Sequence, residues 1–180
     1  KNKLIFLYYL NINYYYNREM ETLVTLIQLN RSIGLKPNEI NSGIEDTLLF
    51  KLREDIEGKC IKEGYVMPNT TEIINRSLGE VQLSHFNGSM LYNVNFTVKI
   101  CNPNEGDTVE ARITNVNKMG IFAIAGDGDP GPLNILLPAQ YHIDNEDFHR
   151  LQPGNQINVK IVGKRFDSGE SQISIIGIVE

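Results

Sequence analysis

Tryptophan is absent from this 180-residue chain, cysteine occurs twice and histidine three times, and the longest apolar stretch, Leu4 to Leu10, is short. Each shortage closes a class of function. That stretch falls far below the roughly 18 residues a membrane-spanning helix needs, so no membrane partner is expected. Cys60 and Cys101 are too far apart for a Cys-x-x-Cys pair and allow at most one bridge, a usage that fits a reduced, intracellular compartment. With His85, His142 and His149 scattered, zinc-ligand spacing is missing, and both cysteines read as small buried apolar residues. No G-x-S-x-G, Walker-type loop or H-E-x-x-H occurs, so the chain reads as a non-enzyme without a cofactor. Asp127 and Asp129 in GDGDPGP begin like a calcium loop, but Gly131 and Pro132 stand where further oxygen ligands belong.

A surplus of positive charge is also missing. The formal net charge is −5; residues 1 to 19 carry three bases and one acid, which leaves fourteen bases against twenty-one acids in the remainder. Phosphate neutralisation supplies most non-specific affinity for nucleic acid, so this balance argues against strong unaided binding. The first seventeen residues are all Lys, Asn, Leu, Ile, Phe or Tyr, the amino acids of AT-rich codons. Met20 therefore reads as the start of the protein proper, with residues 1 to 19 a translated upstream sequence or a disordered extension. The basic start and apolar centre of KNKLIFLYYL have the outline of a secretory signal, but Asn11 to Tyr16 contains no small-residue cleavage site. A stacking platform of Tyr14, Tyr15 and Tyr16 is the alternative use of this segment. Sequons at Asn30, Asn69, Asn75, Asn87 and Asn95 are read as accidents of an Asn-rich chain.

What is present is a change of period. Ser42-Gly43-Ile44-Glu45 has the spacing of a capping box, and Ile44, Leu48, Leu52 and Ile56 then recur every four residues, predicting an amphipathic helix that Gly58 ends. Around it the period is two: Leu23 to Leu29, Cys60 to Val66, Glu72 to Leu78 and Met90 to Ile100 predict strands, with a tight turn at Asn87-Gly88. Residues 20 to 103 thus predict an α+β unit, an antiparallel sheet covered by one helix. The turn-rich Asn102-Pro103-Asn104-Glu105-Gly106 marks a boundary, placed so that a second unit covers residues 104 to 180.

In that second unit, strands are predicted near 108 to 116, 119 to 125, 133 to 138, 156 to 164 and 171 to 179, with a polar connection and a short helical turn at 139 to 153. Gly120 is expected to supply a positive φ or a close backbone approach. Five short strands with a long insertion after the third predict an all-β five-stranded OB-fold barrel, a fold that binds oligonucleotides. Stacking rings and basic groups make such a surface, and the candidates are Phe122, Tyr141, His142 and Phe166 with Arg112, Lys118, Lys160, Lys164 and Arg165. For Phe122 the competing reading is a core ring, and for Lys164 to Gly169 an ordinary hairpin tip. Residues 105 to 180 hold eleven acids against six bases, so binding is expected to be weak, salt-sensitive and indifferent to sequence.

IEGKCIKEGYVMPNTTEII (56 to 74), VKICNPNEGDTVEARITNVNKMGIFAIAG (98 to 126), and the closing LQPGNQINVKIVG and ISIIGIV follow one another in an order that resembles a known family. It is that of the seventh-largest subunit of eukaryotic RNA polymerase II, its counterpart in the archaeal RNA polymerase and the corresponding subunit of large DNA viruses; the resemblance runs from about Leu23 to Val179. It implies a non-catalytic stalk subunit of a DNA-dependent RNA polymerase. Its tip, here Lys59-Cys60-Ile61-Lys62-Glu63-Gly64-Tyr65, docks on the large polymerase subunits. Its barrel, of the ribosomal-protein S-one type, meets nascent single-stranded RNA, and a small helical partner subunit packs along both units. The chain departs where Leu136-Leu137-Pro138 replaces a His often found in the third strand of the repeat, and in its 126 to 132 loop. The codon bias points to the version of a large DNA virus, with transcription in the nucleus or in a cytoplasmic viral factory and possible packaging in the virion. Two other functions remain open: a free-standing RNA-binding module in translation or decay, and an assembly-only polymerase subunit that never touches RNA.

Overall fold

A computed structural model describes residues 23–82, 88–126, 131–143, 148 and 150–180. Met20, the Tyr14 to Tyr16 platform, His85, Asn87, His149, Asp127 and Asp129 lie outside the described residues. The first layer is an antiparallel sheet built on two twelve-residue strands, β1 (Val24–Leu35) and β6 (Met90–Cys101), paired along their whole length from Val24↔Cys101 to Leu35↔Met90. Along its other edge β6 takes three short strands in turn: β3 (Gly64–Val66), β4 (Glu72–Arg76) and β5 (Glu80–Val81), while β2 (Cys60–Ile61) pairs with β3. The helix α1 (Ile44–Ile56) covers one face. Its four-residue stripe of Leu48, Leu52 and Ile56 is buried against Tyr92, Val94, Phe96, Val98 and Ile100, the alternate residues of β6. Each such side chain contributes about 1.5–3 kcal/mol by leaving water.

The opposite face of the sheet is exposed and held by side-chain amides. Asn30 Nδ2 donates to Asn95 Oδ1 at 2.6 Å, and Asn95 Nδ2 donates to Asn75 Oδ1 at 2.7 Å, a ladder across three strands. Three of the five sequon asparagines are thereby engaged with one another.

Several details depart from the sequence reading. The helix starts where expected, but its N-cap is Gly43 rather than Ser42, and no capping side chain closes it. Asn41 does the local work instead, its Oδ1 accepting from the Gly43 N–H at 2.8 Å. The strand expected over Cys60 to Val66 is a hairpin, broken at Lys62 and Glu63 because Gly64 takes φ +140° and lies against the Cys101 carbonyl, where a Cβ would sit 2.7 Å away. β1 runs six residues past Leu29, and β4 stops two residues before Leu78 with a bulge at Ile74.

The second layer is a closed five-stranded barrel of β7 (Thr108–Asn117), β8 (Gly120–Ala125), β9 (Leu133–Pro138), β10 (Gln156–Arg165) and β11 (Ile173–Val179), in the order β10-β11-β9-β8-β7. β9 and β11 run parallel and all other neighbours antiparallel, the pairing of an OB-fold. Val109, Ala111, Ile113, Ile121, Ala123, Ile135, Leu137, Val159, Ile161, Ile173 and Ile175 fill its interior. The fold class read from the sequence is the one observed.

The β7–β8 turn shows why Gly120 is required. Its φ is +150°, and a Cβ there would lie 2.1 Å from the Leu137 carbonyl oxygen of the neighbouring β9, a backbone atom that cannot swing aside. Gly120→Ala is accordingly expected to cost about 3 kcal/mol or more by combining positive-φ strain with overpacking. The check is a urea denaturation midpoint, against Gly154→Ala, where a Cβ meets nothing within 4 Å and φ strain acts alone.

Candidate nucleic-acid interface and docking tip

Alternation along the barrel strands sends one residue in two outward, and the registers align these into rows. One row reads Arg112 (β7), Ile124 (β8), Asn134 (β9), Ser174 (β11) and Arg165 (β10), each the cross-strand partner of the next. The adjacent row reads Phe122, Leu136, Ile176 and Gly163. Together they shape a groove of about 400 Å³ on the outside of the barrel, floored by Phe122, Leu136 and Ile176 and rimmed by Asn134, Ser174 and Arg165. Ile176 is 44% exposed, high for an isoleucine in a packed strand. An apolar floor with an aromatic ring, hydrogen-bonding side chains and a guanidinium can hold a flat, partly polar, anionic ligand.

Of the nine candidate RNA contacts, the structure brings Phe122, Lys164 and Arg165 to this groove. Arg112 shares the row but stands on β7, round the curve of the barrel. Lys118 is exposed at the β7–β8 turn, which the Asn117 carboxamide organises by accepting from the Met119 and Gly120 N–H groups. Tyr141 is 55% exposed on a short 3-10 turn (Ala139–Tyr141), tied to the same turn by the Ala139 N–H donating to the Met119 carbonyl at 3.0 Å. Lys160 is exposed in a different row, between Thr108 and Ile178.

His142, Phe166 and Lys164 serve the fold. His142 is only 5% exposed and its ring stacks on Phe148 with centroids 4.1 Å apart. Its Nε2 accepts from the Val179 N–H at 3.0 Å, which assigns the proton to Nδ1 and makes that nitrogen the donor to the Pro138 carbonyl at 3.0 Å. With both nitrogens and one face engaged, this ring offers no base a surface; it pins the 139–151 connection to the last strand. Phe166 packs against the core shared by barrel and hairpin. Lys164 Nζ donates to Asn102 Oδ1 at 2.6 Å and to the Pro103 carbonyl at 2.7 Å. Asn134, Leu136, Ser174 and Ile176 were absent from the candidates; only the outward half of the strand alternation, combined with register, would have found them.

The predicted docking segment divides in the same way. Cys60, Gly64 and Tyr65 are buried, and Cys60 and Tyr65 belong to one core with the barrel interior. Cys60 exchanges two backbone bonds with the β10–β11 turn: its N–H donates to the Glu170 carbonyl at 2.6 Å, and its carbonyl accepts from the Gly169 N–H at 2.8 Å. Asn102 closes the arrangement, its Nδ2 donating to the Glu63 carbonyl at 2.9 Å while its Oδ1 accepts from the Lys164 ammonium. Lys62 and Glu63 are left exposed at the apex. A smaller groove of about 250 Å³ lies beside them, between Leu29, Arg31, Ile56, Phe96 and Ser168.

No protein-family model matches the chain. It is similar to the DNA-directed RNA polymerase II subunit RPB7 of Glycine max, 30% identical over 164 residues that cover 86% of this chain and 90% of that protein. The corresponding Schizosaccharomyces pombe protein is also 30% identical, over 81% of this chain and 89% of its own length. Subunit 7 of RNA polymerase II of Arabidopsis thaliana is 27% identical, with 79% and 85% covered.

The junction makes two testable demands. Burial pushes the Cys60 thiol up to about 11, with Glu170 adding to it, and burial pushes Cys101 up to about 12. The unfolded chain, with thiols near 8.5, ionises first as pH rises. The thiols' contribution to stability is therefore intact below about pH 8.5 and lost as pH climbs through these raised values. The denaturant midpoint should fall over that window, and fall less in Cys101→Ala. Lys164→Met, which strips a donor from the part-buried Pro103 carbonyl and from the exposed Asn102 carboxamide, should cost about 1–3 kcal/mol, whereas Arg165→Gln on the exposed rim should stay within about 0.5 kcal/mol. Equal effects of the two substitutions in urea unfolding would refute the division of labour along β10.

Proposed function

We propose a polymerase-stalk function from one premise: the chain belongs to the family of the DNA-directed RNA polymerase II subunit RPB7. In this reading it is a non-catalytic subunit of a DNA-dependent RNA polymerase, nucleotidyl transfer belonging to the large subunits. Residues 20–103 form the docking unit, with the Lys62-Glu63 apex as its contact, and residues 104–180 form the transcript-facing unit. The observation that carries the reading is similarity that extends across both units at 30% identity and 86% coverage. A small helical partner subunit lies along both. Nascent single-stranded RNA meets Phe122 and Arg165 in the barrel groove, with Arg112, Lys118, Tyr141 and Lys160 around it, and the acid excess keeps that contact weak. The complex works in the nucleus; the restriction of the first seventeen residues to amino acids that AT-rich codons encode favours a large DNA virus as source, with a cytoplasmic viral factory and virion as the alternative sites.

The same acid excess favours one rival, a subunit that assembles without touching RNA. A tagged full-length chain recovered from its native source should bring large polymerase subunits with it, and Lys62→Ala combined with Glu63→Ala, which keeps the Glu63 carbonyl that Asn102 holds, should reduce that recovery severalfold while leaving the circular dichroism unchanged. Recovery without polymerase refutes the stalk reading; a double variant that assembles normally refutes the apex as the contact. Replacing Arg112, Lys118 and Arg165 together by Ala should lower RNA crosslinking in the assembled complex. An unchanged crosslink moves the RNA contact off this barrel, and no crosslink in the parent complex supports the rival.

A further inference from the structure

The groove on the barrel carries more than a sequence-indifferent track. We propose that it is a base pocket for one unpaired purine nucleotide, adenine fitting best, with Asn134 and Ser174 reading the base edge and Arg165 holding its phosphate. This rests on the transcript-facing reading and narrows it from RNA in general to one nucleotide with a preferred base.

Three features of the groove point the same way. First, its floor of Phe122, Leu136 and Ile176 is continuous across three neighbouring strands. A floor of that width is covered by the two-ring face of a purine and only partly by a pyrimidine. Its volume of about 400 Å³ falls in the range of small-ligand sites, roughly 300–1,000 Å³. Second, the rim beside this floor is polar at the point of contact. Asn134 and Ser174 are direct cross-strand partners, both exposed, and neither side chain is engaged by another described residue. A carboxamide presents a donor and an acceptor side by side, which adenine matches with N6–H and N7, whereas guanine turns two acceptors to that edge. Third, charge is placed at one end only. Arg165 follows Ser174 in the row and is exposed, while Lys164 is spent on Asn102 and Pro103. One exposed guanidinium, 3.5 Å from the Asp167 carboxylate at the strand's end and beside one aromatic floor, suits a single nucleotide held by base and phosphate, the phosphate replacing Asp167 as its partner. Duplex RNA, whose bases are stacked away and paired, cannot enter.

The test uses the full chain and fluorescently labelled hexamers of A, U and C, read by anisotropy at low salt. The A hexamer should bind about fivefold tighter than U or C, the low end for an exposed bidentate contact. Asn134→Ala should bring the three hexamers level. Phe122→Leu keeps an apolar floor but removes the π-face, and should weaken A about fivefold. Arg165→Gln should weaken all three alike and flatten the salt dependence. Equal binding of the three hexamers by the parent chain, or a preference that survives Asn134→Ala, overturns the base pocket while leaving RNA contact standing. Absence of binding by every hexamer at millimolar chain overturns the pocket, and the transcript-facing reading falls with it only if the assembled complex also fails to crosslink RNA. Should Phe122→Leu bind RNA normally but recover less polymerase, the groove belongs to a protein partner and the proposal fails.

Discussion

The structure depends on the polar clamp at Asn102, where one carboxamide holds the tip hairpin with its donor and the barrel with its acceptor. The hairpin has little of its own: β2 is two residues long and β3 three, and an isolated two-stranded ribbon of any length is marginal in water. Its shape is therefore borrowed. β6 supplies one edge, the Gly169–Glu170 turn supplies the two bonds to Cys60, and Asn102 ties the Glu63 carbonyl to Lys164. Beneath these bonds Leu23, Cys60, Tyr65 and Cys101 continue the barrel's apolar interior without a break. The Asn102 to Gly106 segment, expected from its turn residues to be a boundary, does not divide the core.

This arrangement gives β10 two jobs on consecutive residues. Both residues line the groove, but the Lys164 ammonium is tied to Asn102 and Pro103 while Arg165 stands exposed at the rim, so the strand that holds the hairpin in place also ends the outward row of the barrel. The difference lies in the partners: two acceptors of the junction hold Lys164, and none of them reaches Arg165. It also explains why the barrel's small stock of positive charge does not add up to a basic face.

The coarse architecture was legible because it is written in periods. The four-residue stripe from Ile44 to Ile56 and the alternation from Met90 to Ile100 each gave an element whose bounds agree with the structure within a residue. Gly120 was legible as well, since a glycine between two alternating runs has few other reasons to be there. Three things were not. The hairpin inside Cys60 to Val66 reads as one strand because the segment is short and Gly64 turns it only through its backbone, with φ +140°. His142 looks like a ligand-facing ring in sequence, and only the third dimension brings Val179 and Phe148 to it. The groove was hidden for the opposite reason: Leu136 and Ile176 are apolar, and apolar residues in a strand are assigned to the core unless register shows them on the outer side.

On the proposed reading, an acidic protein whose groove holds one exposed arginine, itself beside Asp167, binds nucleic acid weakly in solution, and that weakness is compatible with its task. A transcript emerging from the enzyme to which the barrel is fixed is presented at an effective concentration in the millimolar range, as for any two sites joined by a short tether. Millimolar affinity, about 4 kcal/mol of binding free energy, then suffices for occupancy. One stacked base and one phosphate contact supply energy of that order. A stronger, more basic face would also capture unrelated RNA, because phosphate attraction does not distinguish sequences. The acid excess removes that background, so that what selectivity the barrel has must come from base-directed groups such as Asn134 and from where the barrel is held.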